Sequence, residues 1–240
     1  MYKIIIFDLD DTLIDNTKNI QNGFKEVLKY RNEKYSEEKF EYFEKHDKSY
    51  WSKRARGEIK DPAELMGDIE KKVEWVRAMR FLTFFNDIDY NEAVKINDLY
   101  MEALKENVVE IEGARDTVKY LKEKGYKIAV ATNGPTVAIN SKLSKSGILE
   151  YTDVIFSADE IGKMKPHKIF FDGLLNKIGS QNKEEMLIVG DQLEKDVKGG
   201  IDNNIDSCWF NLYRDKKELE NYNYKPTYVI ESLVELKNIL

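Results

Sequence analysis

Polar side chains follow the first apolar run of the chain. The run Ile4–Phe7 leads directly into Asp8, Asp10, Asp11 and Thr12. An apolar run that ends in polar residues is typical of a strand buried on both faces of a parallel sheet, and ligands bind beyond the carboxyl ends of such strands. Carboxylates this close together need a cation or a shared proton, and Mg²⁺ prefers oxygen ligands. The stretch therefore predicts a metal or acid site, with a solvated acidic turn as the alternative.

Later in the chain, polar residues again stand where a predicted strand ends or a predicted helix begins. The residues in such positions are Thr132, Asn133, Lys165, Asp191 and Asp196. Each of them alone is typical of turn or helix-start chemistry. Right-handed crossovers place the carboxyl ends of parallel strands on one edge of the sheet, so we expect these side chains to meet there.

Together these groups are sufficient for phosphoryl transfer to water. That reaction needs a nucleophile, an acid/base, a cation that bridges nucleophile and phosphate, and donors for the spread negative charge. The carboxylates, the lysine, and the hydroxyl and amide groups of the set are of these types. The sequence therefore favours hydrolysis of a phosphate ester at this edge.

Two different patterns surround these residues and predict two domains. Between about Asn16 and Asn107, apolar residues recur at helical spacing, which predicts an all-helical insert. After Gly113, helices alternate with short apolar strands, which is typical of a parallel, doubly wound α/β sheet. We therefore predict an α/β core domain of residues 1–15 and 108–240 and a helical domain of residues 16–107. The predicted strands are residues 4–7, 127–131, 153–156, 186–189 and 207–211, with an edge strand at 228–230.

Two helix starts are predicted inside the insert. Ser36, followed by acidic residues, is typical of an N-cap. Asp61 followed by Pro62 is typical of an N-cap and a first helical residue, and predicts a helix that continues to Met79.

The composition restricts the function classes. The formal net charge of −6 argues against a general nucleic-acid binder, which would be basic. Cys208 is the only cysteine, so an internal disulfide is excluded, and its apolar neighbours predict a buried strand residue. No apolar stretch approaches the roughly 18 residues of a membrane span, and the opening run is too short for a signal peptide. We expect a cytoplasmic protein without a nucleic-acid or membrane partner.

Four short motifs resemble those of the haloacid dehalogenase-like (HAD) superfamily of aspartate-nucleophile phosphatases. They are Asp8-Leu9-Asp10-Asp11-Thr12, Thr132-Asn133-Gly134, Lys165-Pro166 and Gly190-Asp191, in the family's order and spacing. The resemblance covers essentially the whole chain. It implies a Rossmann-like core with an inserted helical cap that selects the leaving group.

The resemblance also implies a role for each matched residue. Asp8 is the expected nucleophile, which forms an aspartyl-phosphate, and Asp10 the expected acid/base. Thr132 and the backbone amide of Asn133 are expected to bind phosphate oxygens, and Lys165 to neutralise phosphate and nucleophile together.

The cofactor implied by the resemblance is Mg²⁺. Its expected ligands are the Asp8 carboxylate, the Asp10 backbone carbonyl and the Asp191 carboxylate. Asp196 is expected in the outer shell of the metal rather than as a ligand.

The chain departs from the family's motifs at two positions. Asp11 stands where the family commonly has glycine, which we interpret as the mark of one phosphatase branch. His167 stands where the third motif often has aspartate after Lys165-Pro166, and we predict a solvated histidine at a helix start. Lys163 is a competitor for the role of Lys165, but only Lys165 precedes the proline.

A segment of the insert, Arg80-Phe81-Leu82-Thr83-Phe84-Phe85, resembles an Arg-Phe-x-x-x-Phe stretch of HAD enzymes that dephosphorylate nucleoside monophosphates. A guanidinium and aromatic rings can stack on a base. Arg80 and Phe84 are therefore candidate specificity residues. The alternative is that these aromatic residues form the core of the insert.

The leading hypothesis is a Mg²⁺-dependent phosphomonoester hydrolase of small phosphorylated metabolites, with nucleoside 5′-monophosphates as the expected substrates. A phosphosugar phosphatase or mutase on the same core is the alternative. A 2-haloacid dehalogenase would have no need of Asp10 or Asp191, and an idle binding module would have lost one of the matched residues. The sequence leaves the oligomeric state open.

Overall fold

The computed structural model describes residues 1–65, 67–134, 136–212 and 216–240. The chain divides into two compact units, an α/β unit of residues 1–17 and 108–240 and a helical unit of residues 18–107. The sequence placed the first of these boundaries after residue 15 rather than residue 17.

A sheet of parallel strands is the centre of the α/β unit. In the part of the chain that the structure describes, its six strands are β1 (Ile4–Phe7), β2 (Lys127–Thr132), β3 (Val154–Ser157), β4 (Met186–Gly190), β5 (Asp206–Phe210) and β6 (Tyr228–Ile230). They lie in the order β3-β2-β1-β4-β5-β6, so the predicted parallel α/β fold is confirmed, with each strand within one residue of its predicted bounds. Phe7 is level with Val130 and Val189, and the central strands therefore end side by side.

The helices were also largely anticipated by their periodicity. Within the described residues they are α1 (Asn16–Tyr30), α2 (Glu37–Ala55), α3 (Ile69–Leu82), α4 (Tyr90–Glu106), α5 (Ala114–Glu123), α6 (Thr136–Lys145), α7 (Lys168–Ile178), α8 (Lys198–Asp202) and α9 (Leu236–Ile239). Side chains of β1 alternate between two apolar clusters, Ile5 and Phe7 in one and Ile4 and Ile6 in the other. Both faces of the sheet are thus covered, which is why β1 is apolar throughout.

In the helical unit, one predicted helix start is confirmed and the other is wrong. The Ser36 hydroxyl accepts a hydrogen bond from the Lys39 amide at 3.2 Å and caps α2. The cap of α3 is Asp68, which accepts from the Lys71 amide at 3.0 Å, and not Asp61. The Asp61 carboxylate instead forms ion pairs with basic side chains of α2 and α3, and these tertiary contacts outweigh its local capping preference.

Among the described residues, none of the helices combines the length and the apolar character that a membrane span requires.

Candidate active site

The site begins at the carboxyl end of β1, where Asp8 meets two groups from distant parts of the chain. The Lys165 ammonium lies 2.6 Å from Asp8 Oδ1 and 2.6 Å from Asp196 Oδ1. All three side chains are buried, with Lys165 only 4% exposed. Lys163, the other candidate for this role, is exposed, whereas Lys165 is buried.

This buried cluster has perturbed protonation equilibria. Burial raises the pKa of Asp8 to about 7, because the attraction of Lys165 offsets only part of the desolvation penalty. Burial lowers the pKa of Lys165, but Asp196 and Asp8 outweigh that effect and hold the pKa above its ordinary value. Lys165 is therefore a permanent cation, whereas Asp8 gives up its proton with difficulty unless further positive charge is present.

A third carboxylate, Asp191 at the end of β4, lies close to this pair. Oxygen atoms of Asp8, Asp191 and Asp196 all lie within 4.8 Å of one another. The acidic groups outnumber the ammonium beside them, and a hard divalent cation with oxygen ligands would restore the balance. The donor set therefore fits Mg²⁺. Both oxygens of Asp196 already accept hydrogen bonds, from Lys165 and from the Gln192 amide, which agrees with the expected outer-shell role.

Gly190 allows this cluster to form. A Cβ atom at Gly190 would lie 2.3 Å from the Asp196 carboxyl carbon, well inside van der Waals contact. The approach of Asp196 to the end of β4 therefore requires glycine at this position.

The loop after β2 supplies the expected phosphate-binding groups. The Asn133 side chain holds Lys165 through two backbone hydrogen bonds, accepting from the Lys165 amide at 2.7 Å and donating to its carbonyl at 3.2 Å. The Thr132 hydroxyl oxygen accepts from the Gly134 amide at 2.9 Å, which leaves the hydroxyl proton available to a phosphate oxygen. Asn133 therefore positions Lys165 as well as belonging to the predicted phosphate loop.

Asp10 lies at the same edge and is linked through Lys142 to Asn16, and neither of these two residues was predicted as a site residue. Its Oδ1 atom accepts a hydrogen bond from the Lys142 ammonium, which also donates to Asn16 Oδ1 at 3.3 Å. A signal for Lys142 existed in the sequence, because it follows Ile139 by three residues and so shares the buried face of α6. Only the fold shows that this face meets Asp10.

The departure at Asp11 has a local explanation. Its φ of 61° lies in the left-handed region, which favours glycine and tolerates aspartate. The Asp11 carboxylate accepts from the amides of Asn16 at 3.0 Å and Thr17 at 3.2 Å, and so satisfies free donors at the start of α1. Asp11 therefore adopts the backbone conformation that glycine would adopt more easily, and its side chain adds hydrogen bonds to the start of α1 that glycine could not make.

Most of these residues, but not Asp191 or Lys142, line one cavity of about 270 Å³ in the α/β unit. Its walls include the predicted Asp8, Asp10, Thr132, Asn133, Lys165 and Asp196, together with Asn16, Gln192 and Lys195, which the sequence analysis did not single out.

The two candidate specificity residues of the insert lie in an aromatic core. Arg80 is 5% exposed, pairs with Asp47 at 3.0 Å and places its guanidinium 4.5 Å from the ring centre of Phe81. Phe84 packs edge-on against Phe43 with ring centres 5.2 Å apart. This placement favours the alternative in which these side chains form the core of the helical unit.

Two further predictions about single residues are confirmed. His167 is exposed and caps α7, with its Nδ1 atom accepting from the Ile169 amide at 3.2 Å. Cys208 is fully buried in β5, and burial raises the pKa of its thiol to about 12, so it is not a nucleophile.

Comparison with known proteins agrees with the family resemblance. The sequence matches the family profile of haloacid dehalogenase-like hydrolases over residues 2–203. Pyrimidine 5′-nucleotidase PynA of Streptococcus pneumoniae (strain ATCC BAA-255 / R6) is 28% identical over 100% of this chain and 97% of its own length. Pyrimidine 5′-nucleotidase YjjG of Escherichia coli (strain K12) is 28% identical over 98% of this chain and 96% of its own length. The solved structure of YfnB from Bacillus subtilis, described as a HAD-hydrolase bound to magnesium, superposes with a TM-score of 0.79 at 24% identity, covering 100% of this chain and 98% of that one.

Proposed function

Because the chain belongs to the haloacid dehalogenase-like hydrolase family as one of its phosphatases, we propose that it releases phosphate from pyrimidine nucleoside 5′-monophosphates with Mg²⁺ as cofactor. The observation that carries the proposal is the buried cluster of Asp8, Lys165 and Asp196 beside Asp191 and the phosphate loop. Such an arrangement combines a nucleophile, a fixed cation and a metal-binding donor set at one edge of a sheet.

In the first half-reaction, a carboxylate oxygen of Asp8 attacks phosphorus, and the bond from phosphorus to the ester oxygen breaks. Asp10 gives its proton to the departing oxygen, so a neutral alcohol leaves and an aspartyl-phosphate remains. Lys165 and the Thr132 hydroxyl stabilise the negative charge that spreads over the phosphoryl oxygens.

In the second half-reaction, Asp10 takes a proton from a water molecule while that water attacks the phosphorus. The bond between Asp8 and phosphorus breaks, which restores the Asp8 carboxylate and releases inorganic phosphate. Asp8, Asp191 and the Asp10 backbone carbonyl would hold Mg²⁺, which when bound would supply positive charge to neutralise the anionic nucleophile and the anionic substrate.

The substrate class rests on the relatives. PynA and YjjG, both named pyrimidine 5′-nucleotidases, match this chain over nearly its full length. The preserved Asp10 and Asp191 argue against a dehalogenase, which needs neither an acid for an alcohol nor a metal carboxylate. An idle binding module would have no use for a buried cation between two carboxylates, since such a cluster is costly to bury.

The test is phosphate release from pyrimidine and purine nucleoside monophosphates and from sugar phosphates, with Mg²⁺ and with EDTA, beside Asp8→Asn. We expect Mg²⁺-dependent release, fastest on pyrimidine nucleotides and absent in Asp8→Asn. Asp172→Asn is the matched control, because Asp172 lies on α7 and pairs with Lys168 at the surface. Release from sugar phosphates alone would keep the mechanism and reject the nucleotide assignment, whereas no release from any ester would reject the phosphatase.

A further inference from the structure

Lys142 is buried in the α/β unit, although lysine is a residue that usually lies in water. It lies on α6 with its neighbour Leu143 in the apolar core, and its own residue exposure is 8%. Burial of an ammonium group carries a large desolvation cost unless the group is paired and hydrogen-bonded. The partners that offset this cost are Asp10 Oδ1 and Asn16 Oδ1.

The two oxygens of Asp10 have different surroundings. Oδ1 is bound by Lys142, while Oδ2 lies beside the phosphate loop. A Cβ atom built on Gly134 would lie 3.3 Å from Asp10 Oδ2 and 3.2 Å from Thr132 Oγ1. Oδ1 is therefore fixed by Lys142, and Oδ2 lies near the groups expected to bind the phosphate.

We propose that Lys142 is a positioning residue that fixes the Asp10 carboxyl group, so that Oδ2 exchanges the proton with the leaving oxygen and with water. The proposal rests on the function proposed above, because it assigns a partner to the acid/base of that reaction. Asn16 shares the task, since its side-chain oxygen accepts from the same ammonium and limits where Lys142 can move. Proton transfer requires heavy atoms within hydrogen-bond reach, so a freely rotating Asp10 would be a poorer acid.

The inference predicts a dependence on the leaving group. A nucleoside leaves as a poorly stabilised alkoxide unless it is protonated, whereas p-nitrophenolate is stable as an anion and needs little help. Lys142→Met should therefore lower kcat/KM for a nucleoside monophosphate by about 10- to 100-fold, a part of the ~10²–10⁴-fold that acid–base catalysis supplies. For p-nitrophenyl phosphate, kcat/KM should fall much less. This ratio reports the steps up to departure of the leaving group, and p-nitrophenolate departs without a proton from Asp10.

Three further variants make the test specific. Lys145→Met removes the same charge from an exposed position of the same helix and should behave as wild type. Lys142→Arg restores a buried cation and should recover most of the nucleotide activity. Lys142→Gln, which keeps a polar group, replaces Lys142→Met if circular dichroism shows that the methionine variant does not fold.

The outcomes separate the inference from the function on which it rests. A selective loss on the nucleotide, repaired by arginine, supports the positioning role. An equal loss on both esters, no loss, or a loss shared by Lys145→Met overturns it while the phosphatase stands. Failure of the wild-type protein to hydrolyse either ester overturns both.

Discussion

Each of the two units buries a positively charged side chain against a carboxylate, but the two sites differ in charge balance. In the α/β unit, the single ammonium of Lys165 lies between Asp8 and Asp196, with Asp191 nearby. In the helical unit, the guanidinium of Arg80 has Asp47 as its carboxylate and is otherwise surrounded by aromatic rings. The first site has an excess of negative charge, and the second is balanced.

The difference separates a reactive site from a structural one. A balanced buried pair needs no further charge to neutralise it, even though Nε and Nη2 of Arg80 have no hydrogen-bond partner among the described residues. An unbalanced cluster stays costly until a cation or an anionic substrate with its metal arrives, so it is suited to binding and chemistry. Removal of either cation should therefore have a different consequence in each unit.

The largest expected effect is the loss of activity in Lys165→Met. Without the ammonium, the attacking carboxylate and the phosphoryl oxygens lose the buried positive charge that Lys165 supplies beside the metal, and kcat/KM should fall by about 10³-fold. Phosphate release measures the effect, and Lys163→Met is the matched control, since Lys163 is exposed two residues earlier. A variant with near wild-type turnover would show that the buried Lys165 is structural, and the contrast between the units would disappear.

The sequence was most informative where a single residue type at a strand end has few alternatives. Asp8 and Asp191 end apolar strands, and their positions follow from the parallel sheet alone. Lys142 could not be selected in the same way, because it lies on a helix ten residues after Thr132, and only tertiary packing brings it to Asp10. The predicted start of α3 was wrong for a related reason.

The predicted start was Asp61-Pro62, whereas the observed cap is Asp68, which is the same residue type and so has a similar capping preference. Asp61 is drawn instead into ion pairs with Arg54 and Lys72, one from each neighbouring helix. Such a choice between similar local signals depends on contacts between helices, which a single sequence does not display. Arg80 shows the same limit, since its segment is compatible with base recognition and with a core until its burial is known.

The next largest effect is on stability, in Arg80→Met. This change leaves the Asp47 carboxylate, which is 13% exposed, without its cation, and the free energy of unfolding should fall by about 3 kcal/mol. Denaturant unfolding measures the change, and the folded variant should keep wild-type turnover. Arg80→Met combined with Asp47→Asn should recover part of the lost stability. A loss of nucleotide turnover at unchanged stability would instead place Arg80 in substrate recognition.

Mg²⁺ should stabilise the unbalanced site and leave the balanced one unaffected. A ligand that binds only the folded state, at a concentration about 100 times its dissociation constant, adds ~2.7 kcal/mol to the free energy of unfolding. For a chain of this size, that raises Tm by roughly 5 to 10 °C. Thermal unfolding with Mg²⁺ and with EDTA measures this shift. Asp191→Asn should lose most of it, whereas Asp47→Asn should keep it. An equal shift in both variants would mean that the ion binds elsewhere.

The smallest effect is the pH dependence of stability that Asp8 imposes on the metal-free protein. Burial raises the pKa of Asp8 to about 7, whereas in the unfolded chain it has its ordinary acidic value. Between those two pKa values the folded protein holds a proton that the unfolded chain does not, so stability is present at low pH and is lost as pH rises through about 7.

Other carboxylates titrate in the same range, and the useful quantity is therefore the difference in the free energy of unfolding between the wild-type protein and Asp8→Asn. In EDTA, the wild-type protein should lose on the order of 2 kcal/mol relative to Asp8→Asn between about pH 5 and about pH 8. Mg²⁺ should reverse this trend, because it binds the ionised carboxylates. Parallel stability curves for the two proteins in EDTA would show that Asp8 is already ionised below neutral pH and that Lys165 alone balances the cluster.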